Sequence, residues 1–575
     1  MTALDWGVLA AALAGMVGWG VWKGGRHRDT RSFLLAGHEL RSGAVAISVM
    51  ATQASAITFL STPGQAYVDG LRFVQFYLGL PLAMVVLSLT AVPLYHRLRV
   101  YTAYEFLESR FDVKTRTLVA CLFLVQRGLA AGLTIFAPSL ILSVVLGWDI
   151  DITVLLIGGL VVVYTTCGGS RAVGRTQALQ FAIIWAGMAA AFATLVWSLP
   201  AGVSLFDAFG VAGAAGHMRA IDVSWNPNDR YTLWSGLIGG FFLQAAYFGT
   251  DQSQVQRYLS GRSAADSSKG LLLNGLLKVP MQFVILLIGA AVFAFYQFTA
   301  PPVFFNPTEV ASVRASEAGG RFTAVEARYA EAAQVRAMRA RELVAASRSG
   351  DRAQASAARQ AFLAARSKTE SVRQEALAVM RAADPRADTS DTNYVFLSFA
   401  VRCLPAGLLG LLLAAVFAAS MSASAAELNA LASTSVVDVY RRLIRPGSGE
   451  PHYVFASRAA TLLWGGVAVL FAHYANRLGS LVEAVNILGS LFYGTILGVF
   501  VVGFLVRRVG GTPVFLSATA AEALVLATFA LTRVSFLWYN LLGCLAVVAL
   551  SWLVSHFSPM VALRGDTSPT PQANP

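Results

Sequence analysis

The residues that could do chemistry in this chain are polar groups set inside apolar runs. The first such stretch is "SVMATQASAITFLSTPGQAY", Ser48–Tyr67, long enough to cross a bilayer yet crowded with Thr, Gln, Ser, Gly and Pro. An unpaired backbone group in hydrocarbon costs several kcal/mol, so irregular backbone at membrane depth persists only beside a cavity. A broken helix exposes carbonyl oxygens that can replace a cation's hydration shell, and half-helix ends that can orient a solute. The pattern predicts a break near Ala51–Ser55. A second is predicted in "FFLQAAYFGTDQSQVQRYL", Phe241–Leu259, where Gln244, Gly249, Thr250 and Asp251 interrupt an apolar run. A third stretch, Leu412–Tyr440, repeats small and hydroxyl residues: Ala419, Ser422, Ser424 and Ser433. A hard cation wants such oxygens; close helix packing is the competing explanation. Lys278, in "NGLLKVPMQF", places an ammonium deep in an apolar helix. It stands ~13 Å from the nearer interface at helical rise, too far to snorkel, which points to a cavity.

The chemistry of enzymes has little footing here. The four cysteines (Cys121, Cys167, Cys403, Cys544) show no CxxC spacing, the histidines are scattered, and no paired acidic constellation stands out. Neither a disulfide framework nor a catalytic or structural metal site is expected, and the chain reads as no enzyme.

The elements that must position these groups are transmembrane helices. Of 575 residues, 56% are hydrophobic and 13% charged, with mean hydropathy +0.60. That is too apolar for a soluble domain. Continuous runs without dyad alternation argue against a β-barrel. About 13 spans of the required length can be placed: 4–22, 44–68, 72–96, 115–147, 150–167, 175–198, 232–256, 268–297, 394–440, 455–474, 478–506, 512–532 and 535–556. The net charge of +13 could suggest nucleic acid. Its placement argues otherwise. With the N-terminus outside, the basic clusters from Lys23–Arg31 to Arg507–Arg508 all fall on the cytoplasmic side, the positive-inside pattern. The C-terminus is then cytoplasmic. The first segment carries Asp5 and lacks a basic n-region, so it reads as a retained helix and not a signal peptide.

The two predicted breaks lie five helices apart, as the opening helices of two five-helix inverted repeats would. The resulting organisation is an N-terminal helix and loop (1–43), a first repeat (44–198), an outside loop (199–231), the start of the second repeat (232–306), a charged insertion (307–391), the remainder of the second repeat (392–506), and C-terminal helices with a tail (507–575). The insertion is rich in Ala, Arg and Glu, good helix formers. It breaks at "SRSGD", which predicts an antiparallel helical hairpin outside the membrane, read as a solvated spacer in preference to a partner or lid surface.

Five stretches in order, "SAITFLSTPGQAYVDGLRF", "YTAYEFLESRF", "YTTCGGSRAVGRTQALQ", "YFGTDQSQVQRYLSGRS" and "NALASTSVVDVY", carry a family likeness. The chain resembles the sodium–solute symporter family, which includes proline, galactose, glucose, iodide, multivitamin and monocarboxylate cotransporters. The resemblance implies an inverted repeat of ten helices, preceded by one helix and followed by two or three. It implies a sodium site made by the carbonyls of Ala51, Ala54 and Ala419 and the hydroxyl of Ser422. Two positions depart from the family's pattern. Ala423 stands where Ser or Thr is usual, and Gln177 where many members have Asp, so at most one sodium ion is expected. Ser424 or a water is the candidate replacement for the missing oxygen. The family's sugar-binding positions correspond to Gln53, Thr58, Gln244, Lys278 and Asn486, with Tyr247 at the inner gate. Tyr77 replaces a glutamate of sugar transporters, which favours an acidic sugar over a neutral one. Glu483, near the outer end of its helix, reads as a solvated or gate residue and not as a ligand.

The expectation is therefore a sodium-coupled symporter in the cell membrane importing a sugar or sugar acid by alternating access. Other anions, such as monocarboxylates or vitamins, and a sodium-independent facilitator are the alternatives. A sensor is disfavoured, because only about twenty residues follow the last span and no signalling module is joined there. Sodium is the only cofactor implied; the expected partners are the solute and the lipid bilayer, with neither nucleic acid nor an obligate protein.

Overall fold

The computed structural model describes residues 1–24, 40–385, 387–475 and 479–557. Basic residues Arg26, Arg28 and Arg31, and the C-terminal tail, fall outside the described residues, as do the side chains of Arg171 and Arg175. The protein is all-helical and polytopic. Among the described residues, nine helical stretches are long and apolar enough to cross a membrane. The other predicted spans are shorter or interrupted, and the interruptions fall where polar residues and Gly/Pro pairs compete with the helix.

In chain order, α1 is Ala3–Gly24; α2 (Ser42–Gln53) and α3 (Ala56–Asp69) are the halves of the first interrupted span. A tight 3₁₀ stretch, Gly70–Tyr77, leads to α4 (Leu80–Leu89), α5 (Ala91–Leu98) and the short α6 (Tyr104–Arg110). Helix α7 spans Val113–Leu146; Asp112 caps it by accepting the Thr115 N–H, and Gly147, at φ 69°, ends it. Helix α8, Ile150–Trp197, covers both the predicted 150–167 and 175–198 spans. Asp151 in its first turn meets His473, and Leu199, just past its last residue, packs against the cluster that contains Leu343 of the insertion.

Helix α9 (Leu205–Ala214) lies in the 199–231 loop, capped by the reciprocal Ser204–Asp207 box. A π-helical turn, Ser235–Gly239, precedes α10 (Gly240–Thr250) and α11 (Gln252–Leu259), the halves of the second interrupted span. Helix α12 is Ala264–Phe298. The insertion forms α13 (Pro307–Ala315) and the antiparallel pair α14 (Gly319–Ser349) and α15 (Arg352–Ala383), which turns at Gly350, φ 77°. It has its own core of Phe322, Val325, Tyr329, Val372, Ala376 and Met380. It is also seated on the bundle, since Leu343, Val344 and Phe362 pack with Phe293 and Val211.

The predicted single span 394–440 is two helices. "LPAG" ends α16 (Thr392–Cys403) before α17 (Leu408–Thr434), which continues as a π-helical stretch to Ile444. Pro405 has no N–H to donate and Gly407 sits at φ 87°, so the helix cannot run through. Helices α18 (Glu450–Tyr474), α19 (Leu481–Leu505), α20 (Gly511–Leu531) and α21 (Leu537–Phe557) complete the chain. Exposed apolar rows such as Leu82, Val85, Val86 and Leu89, or Leu155, Leu156 and Val163, form lipid-facing surface.

Helix α3 is held by main-chain contact. A Cβ at Gly64 would stand 1.9 Å from the Thr392 carbonyl oxygen, and one at Gly289 2.2 Å from that of Pro63. Small residues permit this approach of α3 to α12 and α16. Gly289→Ala should therefore cost about 1–3 kcal/mol through overpacking. A lowered thermal unfolding midpoint in detergent checks this; an unchanged midpoint refutes the close contact.

Candidate functional site

The first break is built from residues that compete with their own helix. Ala54 leaves helical geometry at ψ 63° and Ser55 is extended at ψ 165°. The Thr52 hydroxyl donates to the Ser48 carbonyl at 2.9 Å, and the Thr58 hydroxyl takes the Gln53 carbonyl at 3.2 Å. The Ala51 carbonyl accepts from Ser422 Oγ at 3.3 Å. The Ala51 and Gln53 carbonyls are thus held by long side-chain bonds, whereas those of Met50 and Ser55 accept the Ala54 and Thr58 N–H groups at 2.9 Å.

The second break, at Thr250–Asp251, is buttressed. Tyr95 donates to the Gly249 carbonyl at 2.8 Å and Tyr104 to that of Thr250 at 2.9 Å. One Asp251 oxygen caps α11 by accepting the Ser253 N–H at 2.8 Å; the other accepts from Arg127 and from the Tyr493 hydroxyl. Arg127 also donates to Glu427 at 3.0 Å and lies 5.4 Å over the Tyr247 ring. Two breaks of similar sequence character therefore differ in use: the second is locked by tyrosines and an ion cluster, and the first keeps oxygens that can be lent.

Between the breaks lies a cavity of about 110 Å³. Gln53 and Thr58 from the first break, Gln244 and Tyr247 from α10, Lys278 from α12 and Asn486 from α19 all line it. Tyr77 and Ala423 line it as well. Gln53 Nε2, Gln126 Oε1 and Glu427 Oε2 are buried with no hydrogen-bond partner among the described residues. Lys278 is 2% exposed and has no carboxylate partner among the described residues. The wall therefore offers donors, acceptors and one unpaired cation, which is the complement of a polar guest. Arg127, Gln126 and Glu427 were not among the residues expected to form it, although each breaks an apolar run as Lys278 does.

Ala51 and Ser422 are brought together directly; Ala54 sits at the break itself, and Ala419 lies buried one helical turn from Ser422 on α17. Ser424 stands about 200° around the helix from Ser422, so it does not supply the oxygen that Ala423 lacks. Gln177 is bonded into this place. Its amide nitrogen donates to Thr52 Oγ1 at 3.1 Å and reaches Ser422 Oγ at 3.4 Å, while its oxygen accepts from Ser48 at 2.6 Å. An N–H donor thus faces the oxygens a cation would need. Gln177→Glu, which exchanges that donor for a charged oxygen, should lower the sodium concentration for half-maximal uptake by at least about tenfold, the scale of one charge-assisted contact. An unchanged or raised requirement would remove Gln177 from the site.

At the insertion-side end of the cavity a polar latch joins α3 to α19. Glu483 accepts from Arg230 at 2.5 Å, from Tyr231 at 2.7 Å and from Gln65 at 3.3 Å; Ser480 donates to Gln65 at 2.9 Å. These bonds tie the half-helix above the break to the opposite wall, as a gate residue at Glu483 requires.

A family model described as "Sodium:solute symporter family" matches residues 33–324 and 373–518. The chain belongs to the sodium:solute symporter family. The gap between the matched segments, 325–372, is the body of the helical insertion. A sodium/sialic acid symporter of Aliivibrio fischeri is 24% identical over 96% of this chain and 93% of its own. The human sodium/iodide cotransporter is 32% identical over 47% of this chain; the aligned part is 42% of that protein, so the match spans less than half its length. The fold also matches the solved outward-open, substrate-bound structure of a Na⁺-coupled sialic acid symporter, with TM-score 0.75 and 21% identity over 97% of this chain and 99% of that one.

Proposed function

We propose that this member of the family is a sodium-coupled symporter of the cell membrane that imports a small polar solute bearing a carboxylate, a sugar acid in the first instance. The observation that carries this is Lys278, an ammonium without a carboxylate partner among the described residues, in a cavity also lined by amide and hydroxyl groups and by the paired Arg127 and Glu427. A carboxylate pairs with Lys278, and hydroxyls find acceptors in Gln126 Oε1 and Glu427 Oε2. The relatives named as sialic acid symporters transport a molecule of this class, which supports the reading.

Sodium is the co-transported ion. Sodium at the first break, on Ala51, Ala54, Ala419 and Ser422, draws α2 and α3 against α17 and so orders Gln53 and Thr58 at the solute. Each ligand then raises the other's affinity by the same factor. One charge moving down 100 mV releases ~2.3 kcal/mol and a tenfold gradient ~1.4 kcal/mol, enough for accumulation of a few hundred-fold. No protein group need react, and the N-terminus lies outside, on the side of the insertion.

Uptake of labelled gluconate, glucuronate and sialic acid into proteoliposomes, driven by sodium, potassium or a proton gradient, tests the proposal. Sodium-driven accumulation above the equilibrium level is expected; equal uptake in all three conditions overturns symport. The Gln177 donor at Ser422 favours that second reading, a sodium-independent facilitator. Ser422→Ala separates the two: symport predicts a sodium requirement raised several-fold, with solute affinity unchanged at saturating sodium, whereas a facilitator is indifferent to it.

A further inference from the structure

The insertion encloses a cavity of its own, of about 590 Å³, between α14, α15, the outer part of α12 and the last turn of α3. Its polar wall is cationic. Arg336, 5% exposed, donates to the Tyr296 carbonyl at 2.7 Å, and its Nε has no partner among the described residues. Arg366 donates to the Ala215 carbonyl at 3.0 Å and lies 5.4 Å over the Phe293 ring. Neither guanidinium has a carboxylate within salt-bridge distance among the described residues. Arg373 is paired with Asp391 at 2.7 Å, and the exposed Glu370 is bonded to Gln374. His217 stacks on Phe293 at 3.6 Å; burial, with Arg366 nearby, lowers its pKa to about 4, so it is neutral at pH 7. Counting Arg336, Arg366 and Arg373 against Asp391 and Glu370 leaves one positive charge. The remaining wall combines the uncharged polar Gln297, Ser367, Thr369, Ser371 and Gln374 with Tyr67, Val68, Phe293, Tyr329 and Leu363.

A buried guanidinium with an idle N–H, next to a second without an acid, is a recognition element for a planar oxyanion. One excess charge suits a monoanion better than a dianion, and rings on the facing wall suit an organic body better than an inorganic ion. We propose that the insertion holds a binding site for a small organic monocarboxylate, separate from the transport cavity, in which Arg336 and Arg366 bind the carboxylate and Tyr67, Phe293 and Tyr329 contain its body. The site lies largely on 325–372, between the segments the family model matches. The inference does not depend on what the protein transports.

The test uses the full chain in nanodiscs in sodium-free potassium buffer at constant ionic strength, carrying Lys278→Ala so that the transport cavity lacks its cation. Thermal unfolding is followed against benzoate, its neutral isostere benzamide, and inorganic phosphate. Benzoate should stabilise saturably, benzamide should not, and Arg336→Gln or Arg366→Gln should weaken benzoate at least about tenfold, the scale of one charged hydrogen bond. If Arg336→Gln does not fold, the half-buried Arg366→Gln decides alone. No saturable benzoate effect, equal stabilisation by benzamide, tighter binding of phosphate, or benzoate binding intact in Arg366→Gln would each overturn the proposal. None of these outcomes bears on sodium-driven uptake by the unmodified chain.

Discussion

Arg127→Gln is expected to lower the thermal unfolding midpoint severely and to abolish uptake. The guanidinium, buried on α7, serves Asp251 at the second break, Glu427 on α17 and Tyr493 on α19. It is one cation for two buried carboxylates. Its removal strands both and costs about 3–5 kcal/mol, the range for breaking one partner out of a buried pair. Asp251 also caps α11, so the loss falls on the segment that fixes the geometry between α10 and α11. Two companions sharpen the result. Arg127→Lys keeps charge without the fork and should recover only part of the stability. Arg127→Gln with Glu427→Gln should be more stable than Arg127→Gln alone, because one stranded charge is gone. Additive losses in that cycle would mean the two groups do not interact. Wild-type stability of Arg127→Gln would show that the break stands without the ion cluster.

The legible part of this fold was the part governed by hydrophobicity. Continuous apolar runs announce spans, because lipid leaves a helix no alternative; polar clusters such as "MATQAS" and "FGTDQS" announce breaks, because side-chain oxygens compete for backbone partners. Lys278 declared the cavity for the same reason. Applied evenly, that argument would have reached Arg127 in "LVQRGLAAG" and Glu427 in "AAELNAL", which are no less costly in an apolar helix. What sequence could not supply was partnership. Nothing local to Arg127 says that residues more than a hundred positions away, Asp251 and Glu427, will meet it. Nor does "GRTQ" say that the Gln177 amide will reach Thr52 and Ser422 on two other elements. The cationic chamber of the insertion was hidden in the same way. Its arginines lie in a run of helix-forming charges that reads as solvated surface, and only packing α14 and α15 onto Phe293 turns Arg336 inward.

Lys278→Met should separate the two demands placed on that residue, with effects of opposite sign. An ammonium held in the bundle without a carboxylate is a standing cost to the solute-free protein. Exchanging it for an apolar chain of similar length removes that cost, so the unfolding midpoint should rise. The bound solute, by contrast, loses a charge-assisted hydrogen bond worth about 1.5–3 kcal/mol, which corresponds to a ~10- to 100-fold rise in the solute concentration for half-maximal uptake. At saturating solute, sodium dependence should stay close to that of the parent, because Lys278 makes none of the bonds that join Ser422 to the Ala51 carbonyl and Gln177. Neutral sugars, if carried at all, should be affected far less than sugar acids. Gln282, bonded to Tyr77 at 2.9 Å one turn along α12, gives an internal control: Gln282→Leu perturbs the same helix without touching charge and should not discriminate acidic from neutral solutes. A Lys278→Met protein that is less stable yet keeps parental affinity would make Lys278 a structural residue and leave the carboxylate without its recognition group.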